Sequence, residues 1–109
     1  MQINLDQPIT QLNGEAFTVP GPDAKPMSLA WVCVEALLWF DPNRPTESGE
    51  EKARCAMLAT RLYQGGKQDV SIEDLALIKA KIGANIAAPL VVGRAFQALE
   101  QRPTAVEAA

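Results

Sequence analysis

The 109-residue chain contains no histidine, only two cysteines, and aromatic side chains at 6% of its positions. Without histidine it lacks the side chain that most often transfers protons near neutral pH, which is also the commonest metal ligand. Acid–base, nucleophilic and metal-dependent mechanisms all need converging groups, and the sequence offers no recognisable set of them. We therefore expect a protein that is not an enzyme and needs no cofactor, metal ion or small-molecule substrate.

No hydrophobic run is long enough to cross a bilayer, since the longest, residues 29–40, has only 12 residues and is interrupted by Glu35. The N-terminus has no basic segment followed by an apolar one, so it does not resemble a signal peptide. Cys33 and Cys55 lie in apolar stretches and are expected to be buried, with a disulfide between them left open. These features predict a cytoplasmic protein without membrane contact.

The charge balance is slightly acidic, with 13 acidic and 10 basic side chains and a formal net charge of -3. Because phosphate neutralisation needs a surplus of Lys and Arg, this balance argues against general nucleic-acid binding. Hydrophobic residues make up 48% of the chain, which is typical of a globular protein. The length and composition predict one small domain.

The N-terminal residues 1–19 show loosely alternating apolar positions around Asn13-Gly14. Asn-Gly favours the positive φ angles of a tight hairpin turn, so a short β-hairpin is predicted over these residues. Residues 20–27 contain three prolines and a glycine, and they predict a rigid connector between the hairpin and the helices.

Two helices are predicted before Gly65. The first follows the N-cap candidate Ser28 and runs over residues 29–40; because it is apolar nearly all round, it should be central. The second follows a capping-box pattern, Ser48 with Glu51. It places five residues on one face: Ala53, Ala56, Met57, Thr60 and Tyr63.

Two further helices are predicted after residue 70. The third begins after Ser71 and carries one apolar stripe: Ile72, Leu75, Ile78 and Ile82. The fourth begins near Pro89, with Arg94 and Gln97 pointing outward and a shared apolar face of Val92, Phe96 and Leu99. Residues 1–101 are thus expected to form a mainly α, four-helix compact domain with a short N-terminal β-hairpin, and residues 102–109 a flexible tail.

Three local patterns could be interpreted as ligand-binding or catalytic sites, but a purely structural role is favoured for each. Gly65-Gly66-Lys67 lacks the spacing of a phosphate-binding loop and is typical of a helix C-cap. Residues 69–74 lack the spacing of a calcium loop and suit a helix N-terminus. Glu35 could act as a base if it were buried, but a position on the solvated face of its helix is favoured.

The candidate contact site lies at the end of the first helix. Trp39-Phe40 can anchor a partner protein, although packing of the two tryptophans in the core is the favoured alternative. Two prolines in residues 41–47 limit the entropy lost on binding. The candidate binding residues are Trp39, Phe40, Asp41, Asn43, Arg44 and Glu47.

Four segments resemble small phage and prophage proteins of this length: Ile3-x-Leu5-x-x-Pro8-Ile9 with the following Gly14, residues 48–52, residues 70–75 and residues 89–93. Several tail assembly chaperones are similar in size, acidity and helical content. The resemblance implies a phage accessory protein that acts by protein–protein contact in the host cytoplasm, with virion (tail) assembly chaperone as the favoured function. It assigns no role to any individual residue.

Two other functions are alternatives to the chaperone. One is an anti-CRISPR-like inhibitor of a host defence nucleoprotein, whose carboxylates would compete for a basic nucleic-acid channel. The other is a DNA-binding regulator; it is disfavoured because the last helix begins with Leu90-Val91-Val92 and offers only Arg94 for base contact. The expected partner is a virion component or a host complex, and self-association is left open.

Overall fold

A computed structural model describes residues 1–40, 43 and 48–100 of the chain. Within these residues the protein is mainly α, as predicted, and the predicted tail at 102–109 lies outside them. The two strands are β1 (Gln2–Asn4) and β2 (Lys67–Asp69). The four helices are α1 (Leu29–Leu38), α2 (Gly49–Tyr63), α3 (Ile72–Asn85) and α4 (Pro89–Leu99).

Three helices begin at the predicted serine caps. The side-chain oxygens of Ser28, Ser48 and Ser71 each accept a hydrogen bond from a backbone N–H three residues later, at 3.2, 3.1 and 3.1 Å. Each bond satisfies a donor that the first turn of a helix leaves without a partner. Pro89 occupies the first turn of α4, as predicted, where its missing N–H costs nothing.

Helix α1 is the central element, and α2 and α3 pack mainly against it. Its core-facing side chains are Leu29, Ala30, Val32, Cys33, Ala36 and Leu37. The first turn of α1 is tied to the N-terminal segment, because Leu29 N–H donates to the Gln7 carbonyl at 2.9 Å and Ala30 N–H donates to the Leu5 carbonyl at 3.0 Å. Both cysteines are buried as predicted, and neither forms a disulfide.

The predicted reversal at Asn13-Gly14 is present, with Gly14 at φ +88 and Thr10 bridged to Ala16. Residues 20–27 do more than connect, however, since Met27 is buried and pairs with the hairpin. Its N–H donates to Phe17 at 2.7 Å, Phe17 donates to Ile9 at 2.9 Å, and Ile9 donates back to Met27 at 2.9 Å. This closed cycle of three backbone bonds makes residues 8–28 one unit, called the bridge unit below.

Strand β1 pairs outside the bridge unit, with a strand that the sequence did not predict. It runs antiparallel to β2, with Gln2 opposite Asp69 and Asn4 opposite Lys67. This pairing brings the N-terminus to the turn that follows α2. Ile3, at its centre, is buried in the core.

The predicted apolar face of α2 is wrong. Its five residues are all exposed, and the core instead receives Cys55, Leu58, Ala59 and Leu62. Two apolar stripes compete on this helix. The predicted one includes Thr60, whose hydroxyl donates to the Ala56 carbonyl at 2.8 Å, and Tyr63, whose hydroxyl has no partner within the helix. Burying the Tyr63 hydroxyl without a partner would be costly, and the other stripe contains both leucines of the helix, so the stripe without hydroxyls takes the core side.

Three smaller expectations for the helices also need correction. Helix α1 ends at Leu38 rather than Phe40, because Trp39 adopts an extended conformation with ψ 142. Ile72 is 79% exposed, since it lies at the first position of α3 outside the core cluster. Arg94 is half-buried rather than outward, and its Nε donates to the Thr10 carbonyl of the bridge unit at 3.2 Å.

Candidate functional site

Exposed apolar side chains are concentrated at the end of α1 and on α2. Of eight large hydrophobic residues exposed in the described part of the chain, four border the groove between these two helices: Leu38, Trp39, Phe40 and Tyr63. Met57 is also exposed on α2 but lies on its other side. Single exposed hydrophobic residues are ordinary, but a contiguous group of them marks a contact site on a soluble protein. This region is therefore the candidate functional site.

The solvent side of α1 is apolar except at one position. Trp31 and Val34 are half-buried against the core and Leu38 is exposed, while Glu35 supplies the one charge of the helix. The exposure of Glu35 confirms the predicted solvated position and removes the burial on which a role as base depended. Half-buried Trp31 agrees with the core-packing interpretation of that tryptophan.

Trp39 and Phe40 leave the helix and stand in solvent. Trp39 N–H still donates to the Glu35 carbonyl at 3.0 Å, but the extended backbone of Trp39 directs the chain away from α1. The two side chains are 51% and 71% exposed. Core packing is therefore wrong for Trp39, and both aromatic groups are available for contact.

Two hollows lie along the α1–α2 boundary and share Leu38. The first, about 240 Å³, is lined by Leu37, Leu38, Trp39, Phe40, Lys52 and Cys55. The second, about 280 Å³, is lined by Val34, Leu38, Ala59, Thr60 and Tyr63. We call the residues around these two hollows the α1–α2 surface.

Lys52 gives the α1–α2 surface a positive charge at one end. It is exposed and forms no ion pair with another described residue, unlike the neighbouring Arg54, which pairs with Asp74 at 3.0 Å. An unpaired ammonium beside an apolar hollow can meet a carboxylate of a partner without first breaking an internal contact. The surface thus combines aromatic anchors with one available charge.

The structure describes three of the six predicted binding residues. Trp39 and Phe40 border the first hollow, and Asn43 is exposed. Asp41, Arg44 and Glu47 lie outside the described residues. Sequence analysis missed Lys52 and Tyr63 as parts of the site. A signal was available for Tyr63, because placing the second apolar stripe of α2 in the core would have turned Tyr63 outward.

The other chemical candidates have structural roles. Gly65 and Gly66 follow α2 with φ +73 and +72, which confirms the C-cap interpretation. Ser71 caps α3, and the acidic Glu73 and Asp74 occupy its first turn, as expected at the positive end of a helix dipole. Burial raises the pKa of the Cys33 thiol to about 12, so it stays protonated and is a poor nucleophile near neutral pH.

Among the described residues, no helix is both long and apolar enough to cross a membrane. No protein-family model matches the sequence, and no curated protein or solved structure is found to be similar to it.

Proposed function

We propose that this protein is a non-catalytic binding protein that contacts a partner protein through the α1–α2 surface. The observation that carries the proposal is the concentration of exposed large apolar side chains on this one surface. Keeping them in water is unfavourable, and covering them with a partner recovers that free energy. Large aromatic side chains at the centre of an interface commonly carry most of its binding energy.

The shape of the surface suits apolar side chains of a partner. Hollows of about 240 and 280 Å³ are each large enough for one or two side chains and too open to enclose a small molecule. Trp39 and Phe40 on one side and Tyr63 on the other offer aromatic walls, which lose little conformational entropy on contact. Lys52 adds a charge that can select for an acidic group at one end.

The partner class that we propose is a virion component, held by this protein as an assembly chaperone of the phage type. A net charge of -3 keeps such a chaperone soluble while its apolar surface covers an aggregation-prone segment. We choose this class because of the four short segments that led us to expect a phage protein. Inhibition of a host defence nucleoprotein uses the same kind of contact and is a distinct outcome of the experiment below.

The experiment is co-expression with candidate virion proteins encoded beside the gene, followed by measurement of the soluble fraction and of co-elution. We expect one virion protein to become soluble with the wild-type chain and to stay insoluble with Phe40→Ser. Leu12→Ser is the matched control, because Leu12 is 84% exposed and belongs to the bridge unit. Equal rescue by Phe40→Ser and wild type would contradict the proposed surface.

The identity of the protein that binds the wild-type chain distinguishes the alternative partner. A host defence nucleoprotein that binds the wild-type chain and loses its nucleic acid, with no virion protein rescued, would replace the chaperone assignment and keep the binding surface. Binding of neither class would overturn the proposed function.

A further inference from the structure

A third and larger hollow lies on the opposite side of α2, away from the α1–α2 surface. Its volume is about 490 Å³, and it lies between α2 and the start of α3. Its lining residues are Glu50, Ala53, Arg54, Met57, Leu58, Arg61 and Asp74.

Four of the lining residues form a straight stripe along α2, at positions 50, 54, 57 and 61. At about 100° per residue they fall within about 60° of one another around the helix axis. The steps between them are four, three and four residues, so the stripe has the same spacing in both directions. When a second copy of the helix lies antiparallel to the first, the stripe residues of the two copies therefore lie at the same positions along the helix axis.

The charges along the stripe are complementary to those of the same stripe reversed. Glu50 lies in the first turn of α2 and Arg61 in the last turn. An antiparallel pair places Glu50 beside Arg61 of the partner subunit twice, whereas a parallel pair places like charges together. Antiparallel helix dipoles add to the same preference.

The individual side chains are suited to such a contact. Glu50 forms no ion pair with another described residue, so its carboxylate is available. The Arg61 guanidinium donates to the Asp69 carbonyl, which holds it at the edge of the hollow. The Arg54–Asp74 ion pair at 3.0 Å fixes the side chain that would face Met57 of the partner subunit.

Met57 lies near the centre of the stripe and is 74% exposed. An unbranched thioether side chain adapts to irregular space, and the hollow beside it supplies that space in a second copy. Two copies related by a two-fold axis would each insert Met57 into the hollow of the other. We propose that this protein forms a homodimer through antiparallel packing of its α2 helices along Glu50, Arg54, Met57 and Arg61.

The test is sedimentation equilibrium of the purified full chain and its variants over a range of concentrations. We expect a wild-type dimer, and a rise of at least about tenfold in its dissociation constant for Met57→Glu and for Glu50→Arg. Arg61→Glu should weaken the dimer similarly, and the double variant Glu50→Arg with Arg61→Glu should recover much of the affinity. Far-UV circular dichroism checks that each variant is folded.

Met57→Glu and Glu50→Arg keep the test decisive if Arg61→Glu disturbs β2 by losing its bond to Asp69. A wild-type monomer at the highest soluble concentration would overturn the dimer. A dimer that withstands Met57→Glu but is lost in Phe40→Ser would also overturn it, because the contact would then lie on the α1–α2 surface. A wild-type monomer leaves the proposed function to its own test, because that test measures binding of a different protein.

Discussion

The Asp6 carboxylate accepts a hydrogen bond from the backbone N–H of Gly66, with 3.0 Å between Oδ1 and N. Leu5 N–H donates to the Gly66 carbonyl at 2.9 Å, so the two bonds join the chain after β1 to the turn after α2. Gly65 passes close to the same carboxylate, and a Cβ at this position would lie 2.5 Å from Asp6 Oδ1. This contact between distant parts of the sequence depends on glycine.

We predict that Gly65→Ala lowers the free energy of unfolding by about 1–3 kcal/mol, because alanine is strained at φ +73 and its Cβ meets Asp6. The control is Gly93→Ala in α4, where no atom lies within 4 Å of the added Cβ. The control should be neutral or stabilising by up to about 1 kcal/mol. Urea denaturation of both variants makes the comparison, and equal stability would contradict it.

The clash with Asp6 can be separated from the backbone strain by a double-mutant cycle. In an Asp6→Ala background, Gly65→Ala should cost less than in the wild type, because the carboxylate oxygen is absent. Strict additivity of the two substitutions would show that the cost comes from the backbone angle alone.

Arg94 links α4 to the bridge unit, and its replacement should loosen that unit. Its guanidinium donates to the Thr10 carbonyl at 3.2 Å and to the Gln11 carbonyl at 3.5 Å. Arg94→Met should lower stability by about 1 kcal/mol, since bonds at these lengths are modest. Amide hydrogen exchange should speed up at Gln11 and Gly14, and unchanged protection there would contradict the link.

The Cys33 thiol should be unreactive in the folded protein. Burial raises its pKa from the usual 9.0 to about 12. Iodoacetamide at mildly alkaline pH should modify Cys33 only after denaturant is added, as peptide mass spectrometry can show. Modification of native Cys33 at the rate of an unfolded control would contradict its burial.

The raised pKa of the Cys33 thiol makes the stability of the fold depend on pH, and the sign of this dependence is definite. The unfolded thiol loses its proton near pH 9.0, whereas the folded thiol keeps it until about pH 12. Its contribution to stability is therefore complete below pH 9.0 and is lost progressively as the pH rises between these values. Cys33→Ala should show a shallower loss of stability over this interval.

The helices were predictable from sequence because their signals are local. Ser28, Ser48 and Ser71 each lie three residues before the N–H that they cap, so the signal and the structure occupy the same short segment. Strand β2 gave no such signal, since residues 67–69 lack alternating apolar positions. Its pairing depends on β1, which is distant in sequence.

The candidate site was predicted in part. Trp39 and Phe40 were found because aromatic residues beside a proline-containing loop are visible in the sequence. Tyr63 was not, because α2 carries two apolar stripes and Tyr63 was assigned to the core on the one that the structure leaves exposed. Choosing the stripe without hydroxyls, Cys55 to Leu62, would have placed Tyr63 in solvent.

Site-specific photo-crosslinking tests the central claim most directly. A photoreactive phenylalanine analogue would replace Phe40 or Tyr63 in turn, with Leu12 and Ile72 as exposed control positions away from the α1–α2 surface. The protein would be expressed with its neighbouring genes, and adducts identified by mass spectrometry. We predict an adduct to one and the same partner protein from positions 40 and 63 and none from positions 12 and 72. Adducts only from the control positions, or from none of the four, would contradict a binding function at the α1–α2 surface.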